Sequence, residues 1–182
     1  MGFTVIYDAC VLYPAPLRDF LMRLALTGLF RARWTDQIRD EWTRSLLRNR
    51  PELEDTLPRT VELMNHAMPD SLVTGHERLI GGLSLPDPDD RHVLAAAIVS
   101  GAQLIITFNT RDFPEDELAP YGIEAVHPDT FSVQQPERVS KHSVNRWEIL
   151  RSPFSAPPPS SPPPPDPPPA AHPVSPHPAS AR

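Results

Sequence analysis

The stretch from Leu85 to Phe113, LPDPDDRHVLAAAIVSGAQLIITFNTRDF, sets an acid-headed helix directly in front of a strand with no polar face. Asp87, Asp89 and Asp90 precede an Ala-rich helical pattern over Val93 to Ser100, and Gly101 follows where a C-terminal glycine ends a helix. Leu104, Ile105 and Ile106 then form a short apolar run that suits a strand buried on both faces, as in a parallel sheet covered by helices. Polar and acidic groups return at once, from Thr107 to Asp112. In open α/β sheets ligands sit beyond the carboxyl ends of the strands. Asp90 at a helix start and Asn109 or Asp112 after a strand are therefore candidates for one crevice.

The remaining segments repeat this alternation. Phe3 to Tyr7, FTVIY, is apolar and β-branched and reads as a central parallel strand ended by Asp8, a residue that equally suits a turn or an N-cap. Pro14 and Pro16 introduce a helix with Leu17, Phe20, Leu21 and Leu24 at helical spacing and Gly28 as its stop. Leu29 to Trp34 is a second, weaker strand. Thr35 is an N-cap for a helix to about Asn49, with Asp36 in the first turn and Ile38, Trp42 and Leu46 as its buried stripe. Glu41 lies about 100° round that helix from Trp42, at the edge of the core and able to face a cleft. Arg39, Arg44, Arg48 and Arg50 form a solvated face and are the local candidates for phosphate contacts. A helix over Thr56 to Met68, a short strand at Leu72 and Val73, a minor helix over Glu77 to Ile80, a turn or helix over Pro114 to Ala119 and a last strand at Ile123 to Val126 complete the pattern. Parallel strands with helices on both faces follow from it.

Composition divides the chain. Of its 25 prolines, 14 lie from Pro153 onward, so the expected organisation is a domain over 1–131, a weakly structured extension over 132–152 and a disordered Pro-rich tail over 153–182 with polyproline II character. Such a tail is either passive or a ligand for aromatic grooves, and an out-of-frame or recently acquired extension is a further explanation of the abrupt change. Met1 to Thr130 carries 12 basic against 20 acidic residues, a net of −8. That argues against duplex binding through a broad basic patch, yet allows a nuclease whose divalent cations reverse the local field. Cys10 is the sole cysteine, which excludes an intrachain disulfide and fits a reducing cytoplasm. No segment approaches the ~18 apolar residues of a membrane span, so the expectation is a soluble, cytoplasmic protein.

Asp8, Glu41, Asp87, Asp89, Asp90 and Asp112 all fall at strand ends or helix starts on the presumed carboxyl side. Anionic side chains that converge repel one another unless a hard cation such as Mg2+ or Mn2+ neutralises them. Taken in order, YDACVL, the lone Glu within IRDEWTRSL and DPDDRHVLAAAIVSGAQLIITFNTRDF resemble the PIN-domain nucleases, particularly the VapC-type toxins of bacterial toxin–antitoxin pairs. The resemblance spans about Phe3 to Asp129. It implies a three-layer α/β/α fold around a parallel, roughly five-stranded sheet, and a site of three or four acids that holds divalent cations and cleaves RNA. It also implies a homodimer and a small cognate antitoxin that covers the active site.

By motif, Asp8 matches the acid ending the first strand, Glu41 the acid on the second long helix, and Asp90 the acid heading the Ala-rich helix. Asn109 occupies the fourth position, where many members have Asp, and Asp112 follows it. The implied catalytic set is Asp8, Glu41, Asp90, Asn109 and Asp112, with Asp8, Asp90, Asp112 and Glu41 as metal ligands for Mg2+ or Mn2+. Asn109 is neutral, so either Asp112 supplies the fourth carboxylate or the site has less charge with which to hold a second metal, and Cys10 stands where the family commonly has Asn or Ser; a single metal ion is the expectation. His92 reads as a helix-surface residue, Cys10 as a small buried thiol, and Thr107 either as a crevice hydrogen-bond partner or as the end of its strand.

Two other α/β classes fail on named residues. A response-regulator receiver needs a lysine after its last strand, and the only lysine is Lys141, beyond the domain. A haloacid-dehalogenase-type phosphatase needs a second Asp at the position of Cys10. The competing reading of another class is a catalytically weak or inactive PIN-like module that binds RNA or a protein partner, which Asn109 keeps open.

Overall fold

The computed structural model describes residues 3–134, so the expected extension and Pro-rich tail lie outside the described residues but for a few positions. Strand β1 (Phe3–Tyr7) leads into helices α1 (Ala9–Leu12) and α2 (Ala15–Leu26). β2 (Phe30–Arg33) is followed by α3 (Asp36–Asn49), α4 (Leu57–Ala67) and α5 (Glu77–Ile80). α6 (Arg91–Ser100) precedes β3 (Leu104–Ile106), and α7 (Glu115–Leu118), β4 (Glu124–Val126) and α8 (Pro128–Gln134) complete the described chain.

The strands pair in the order β2-β1-β3-β4, all parallel. β1 has a neighbour on each side and Thr4 to Tyr7 are buried, which is why FTVIY shows no polar alternation. From β1 the chain moves outward to β2, then crosses back to place β3 on the other side of β1. Right-handed crossovers in opposite directions put α2 over one face of the sheet and α6 over the other. α2 packs on β2, and α6 packs on β1 and β3. The reversal of strand order between β1 and β3 opens a crevice at their carboxyl ends.

Two expectations need correction. The described residues form four strands rather than about five, because Leu72 pairs with Trp34 only as an isolated bridge. Trp34 N–H donates to Ser71 and Val73 N–H to Trp34, but Gly75 turns the chain away at φ 81° before a ladder develops. The stripe of α2 is also rotated from the one its apolar residues suggest. Arg18, Leu21, Met22 and Ala25 face inward, while Phe20 is 44% exposed.

The rotation has a cause in Arg18. Its Nη1 donates to the carbonyl oxygens of Leu12 at 2.6 Å and Tyr13 at 3.3 Å, satisfying the last carbonyls of α1, and its guanidinium lies 4.6 Å over the Trp42 ring of α3. Burial lowers its pKa to about 10, still far above neutrality. One buried cation thus ties α1, α2 and α3 together. Elsewhere the local signals work as read: Thr35 Oγ1 accepts the Ile38 N–H at 3.0 Å, Ile38, Trp42 and Leu46 are buried, and Gly101 ends α6 at φ 63°. Tyr7 stacks on Trp34 at 6.4 Å and donates its hydroxyl to the Leu21 carbonyl at 3.0 Å, joining sheet to α2.

Candidate active site

Asp8 leaves β1 directly at the β1–β3 seam, where its backbone N–H donates to the Ile106 carbonyl at 3.1 Å and its side chain is almost fully enclosed. Its Oδ2 accepts from Thr107 Oγ1 at 2.7 Å and from Cys10 Sγ at 3.1 Å. Thr107 in turn accepts the Asn109 N–H at 3.0 Å, and Cys10 Sγ accepts the Phe108 N–H at 3.2 Å. The seam therefore clamps one oxygen of Asp8 and leaves Oδ1 without a donor among the described residues. Burial, then the Asp8 charge, push the Cys10 thiol up to about 12, so it is a hydrogen-bond donor and not a thiolate nucleophile at neutral pH.

α3 forms the opposite wall. Glu41, Trp42 and Ser45 face the cleft together with Ala9, Cys10 and Tyr13 from the start of the chain. Tyr13 accepts a hydrogen bond from Asn49 Nδ2 at 3.0 Å, which adds a second tie between α1 and α3. Glu41 Oε1 accepts from Gln37 Nε2 at 3.3 Å and lies 2.9 Å from His92 Nε2.

Asp90 closes the third side. It ends a short 3-10 turn, Pro88–Asp90, whose entry is fixed by Asp87 accepting the Asp89 N–H at 2.9 Å, and it sits at the head of α6. Burial first, then the charges of Asp8, Asp87 and Asp112, raise the Asp90 carboxyl to about 7, with His92 opposing them. A carboxyl held that far above its ordinary value is one whose charged form is disfavoured by burial and further repelled by neighbouring carboxylates.

These walls enclose a cleft of about 420 Å³ lined by Asp8, Glu41, Asp90 and Asn109 among others, room for a hydrated cation and a phosphate group. Among the described residues no three Asp, Glu, His or Cys side chains converge closely enough to enclose a metal ion as they stand. The donor chemistry nevertheless fits a hard cation that keeps several waters: Asp8 Oδ1, the second oxygen of Glu41 and the Asp90 carboxylate accept from no protein donor among the described residues, and the repulsion at Asp90 is what such an ion relieves.

Of the expected site residues, Asp8, Glu41, Asp90 and Asn109 line one cleft. Asp112 stands in the turn Thr110–Asp112, near enough to raise Asp90 but not among the lining residues. Asp87 caps its turn, and Asp89 points to solvent. Thr107 resolves to the crevice role, since its buried hydroxyl bonds Asp8. Cys10 is half-buried, packing against the core on one side and lining the cleft on the other. His92 corrects the surface assignment: it is 2% exposed, because the first two turns of α6 are enclosed on all sides by the sheet and α5. Arg18, Tyr13 and Ser45 carry no motif of their own. Only the spacing of Ser45 from Glu41, one turn along α3, could have pointed to a cleft residue.

Comparison with known proteins identifies the family of this chain. The family described as PIN domain matches residues 4–111, which include every lining acid and Asn109. A segment of 46 residues is 54% identical to the Mycobacterium tuberculosis (strain ATCC 25618 / H37Rv) protein named Putative ribonuclease VapC50, covering 25% of this chain and 27% of that one. The chain thus spans about a quarter of the curated relative it matches. No solved structure matches it. With more than half of its length matched by the family, and acids from β1, α3 and the head of α6 gathered at the seam where the strand order reverses, the chain belongs to the PIN-domain family.

Proposed function

We propose that the protein is a divalent-metal-dependent ribonuclease, the endoribonuclease toxin of a type II toxin–antitoxin pair, using Mg2+ or Mn2+. The observation that carries the reading is the gathering of Asp8, Glu41 and Asp90 on one cleft, where burial first and then the charges of Asp8, Asp87 and Asp112 hold the Asp90 carboxyl above its ordinary value. The relative's printed name, a ribonuclease, supports it.

In this reading Asp8 Oδ1, Asp90 and Glu41 Oε2 would hold the cation, and Asn109 or Asp112 would complete the ligand set and orient the attacking water. A bound cation supplies neutralisation of the phosphate and a lowered pKa for water. In-line attack forms the new P–O bond as the P–O3′ bond breaks, and the 3′ oxygen takes a proton, leaving a 5′-phosphate and a 3′-hydroxyl. The surrounding field is acidic, so substrate contacts fall to individual cations. Arg39 pairs with Asp36 and Asp40, and Arg50 with Glu52, which leaves Arg44 and Arg48 exposed on α3 without an ion pair among the described residues. Arg48 follows Glu41 by two turns and Ser45 by one on the same stripe, where it can meet a backbone phosphate.

The proposed partners are an RNA substrate, a cognate antitoxin that covers the cleft, and a second copy of the chain in a homodimer. The described residues contain no helix long and apolar enough to cross a membrane, and a cytoplasmic location remains part of this proposal. A second reading, a binding module without turnover, draws on Asn109, which puts a neutral amide on the cleft wall.

Cleavage of a structured RNA mixture by purified protein, with and without Mg2+ or Mn2+ and beside Asp90→Asn, decides between the two. Metal-dependent cleavage absent from the variant supports the ribonuclease. RNA binding without cleavage by folded, metal-loaded protein favours the module.

A further inference from the structure

α6 carries a histidine at a position where its neighbours in the following turn are Val, Leu and Ala. His92 is buried, and its Nε2 lies 2.9 Å from Glu41 Oε1. A carboxylate oxygen only accepts, so Nε2 carries the hydrogen. Nδ1 is buried with no hydrogen-bond partner, which leaves the 2.9 Å contact of Nε2 with Glu41 as the polar contact the ring makes among the described residues. An apolar side chain of similar volume would fill this space without stranding a buried nitrogen. Packing alone therefore gives no reason for an imidazole here.

The reason lies across the cleft wall. Glu41 is partly exposed on α3, and an unrestrained glutamate of that kind samples many rotamers. Its Oε1 is engaged twice, by His92 and by Gln37, while Oε2 accepts from no donor among the described residues. One donor comes from the same helix and the other from a helix packed on the central strands. The pair fixes the carboxylate from behind and leaves its second oxygen for the cleft.

We propose that His92 is a positioning residue that holds Glu41 through Nε2–H···Oε1, so that Oε2 is presented to a divalent cation in the cleft. The proposal rests on the metal-dependent reading above and makes His92 part of the site without touching metal or substrate. Hydrogen-bond partners of this kind change metal affinity or activity by about 10–100-fold when removed.

Full-length protein, His92→Met and His92→Gln are compared by Mn2+ calorimetry and by RNA cleavage under saturating metal. Methionine removes the donor; the glutamine amide can place an N–H near the Nε2 position. The expected result is Mn2+ binding about tenfold or more weaker in His92→Met, kcat reduced with KM for RNA unchanged, and most of both losses recovered in His92→Gln. In a Glu41→Gln background, His92→Met should add no further loss. Wild-type Mn2+ affinity in folded His92→Met, or no recovery in folded His92→Gln, would overturn the proposal. If neither variant folds, long-range 1H–15N spectra of the native protein decide it: a hydrogen on Nε2 supports the role and one on Nδ1 removes it. Native protein that binds Mn2+ but cleaves no RNA would defeat the ribonuclease reading alone, whereas native protein that binds no Mn2+ would defeat the positioning role as well.

Discussion

Two of the acids that line the cleft are built in opposite ways. Asp8, on the β1–β3 seam, is 5% exposed yet has two side-chain donors on one oxygen. Asp90, at the head of α6, accepts no side-chain hydrogen bond among the described residues and faces three other carboxylates. The sheet side of the site is organised before any ligand arrives; the helix side is left electrostatically incomplete. A cation is the natural complement to that asymmetry, because it acts most strongly on the charge that nothing else compensates.

The largest effect should come from removing either charge. Asp8→Asn and Asp90→Asn are each expected to lower RNA cleavage by at least about 10³-fold, equivalent to ~4 kcal/mol in the barrier, with the fold retained. Metal-dependent cleavage surviving in both variants would sink the assignment of these acids.

Stability should then separate the two walls. Asp90 titrates near 7 in the folded protein against 3.8 for the free side chain, so between those values the folded state holds a proton that the unfolded state has released. Stability of the metal-free protein therefore falls as pH rises from about 4 through about 7. Asp90→Asn removes this loss. Allowing for solvent screening of a partly exposed group, the variant should gain ~1–2 kcal/mol above neutrality, a few degrees in Tm, and no advantage near pH 4. Mn2+ should reverse the ranking by stabilising only the native site. Coincident melting curves for the two metal-free proteins from pH 5 to 8 would show that Asp90 is not frustrated.

A smaller effect tests the clamp on Asp8. Thr107→Val deletes the donor to Asp8 Oδ2 and the acceptor of the Asn109 N–H. The expected cost is ~1–3 kcal/mol of stability and about tenfold in cleavage, while Cys10→Ala, which removes a longer bond from sulfur, should cost less of both. Equal losses in the two variants would mean that Asp8 is held by its enclosure and not by Thr107.

The same division governs what the sequence could reveal. β1 and β3 were legible because a strand buried on both faces is apolar throughout, and the ends of α3 and α6 because Thr35 and Gly101 act on their own backbone neighbours. The acids Asp8, Glu41 and Asp90 were legible because each follows such a boundary or flanks a clear stripe. α2 was misread since Arg18 is buried through carbonyl and ring contacts that hydrophobic spacing does not register. His92 was misread for a related reason: the buried run from His92 to Ala97 in α6 has no polar face against which a buried histidine could stand out. The missing strand at Leu72 depended on how far a pairing would propagate, which two residues cannot signal.

The fourth position offers the finest test of the asymmetry, since Asn109 lines the cleft from the organised seam while Asp112 reaches it only through its field at Asp90. Asn109→Asp adds a carboxylate on the side that now lacks excess charge. In the metal-free protein the new charge should raise the Asp90 carboxyl further and cost up to ~1 kcal/mol; with Mn2+ it should tighten binding several-fold, since more anionic ligands favour a hard cation. Asp112→Asn should do the reverse on a smaller scale, easing the strain at Asp90 and weakening Mn2+ slightly through lost field alone. Calorimetric titration of both variants reads the difference directly. If Asn109→Asp leaves Mn2+ affinity unchanged and Asp112→Asn abolishes it, the fourth ligand is Asp112, and the turn from Thr110 to Asp112 must move toward the cleft when the cation binds.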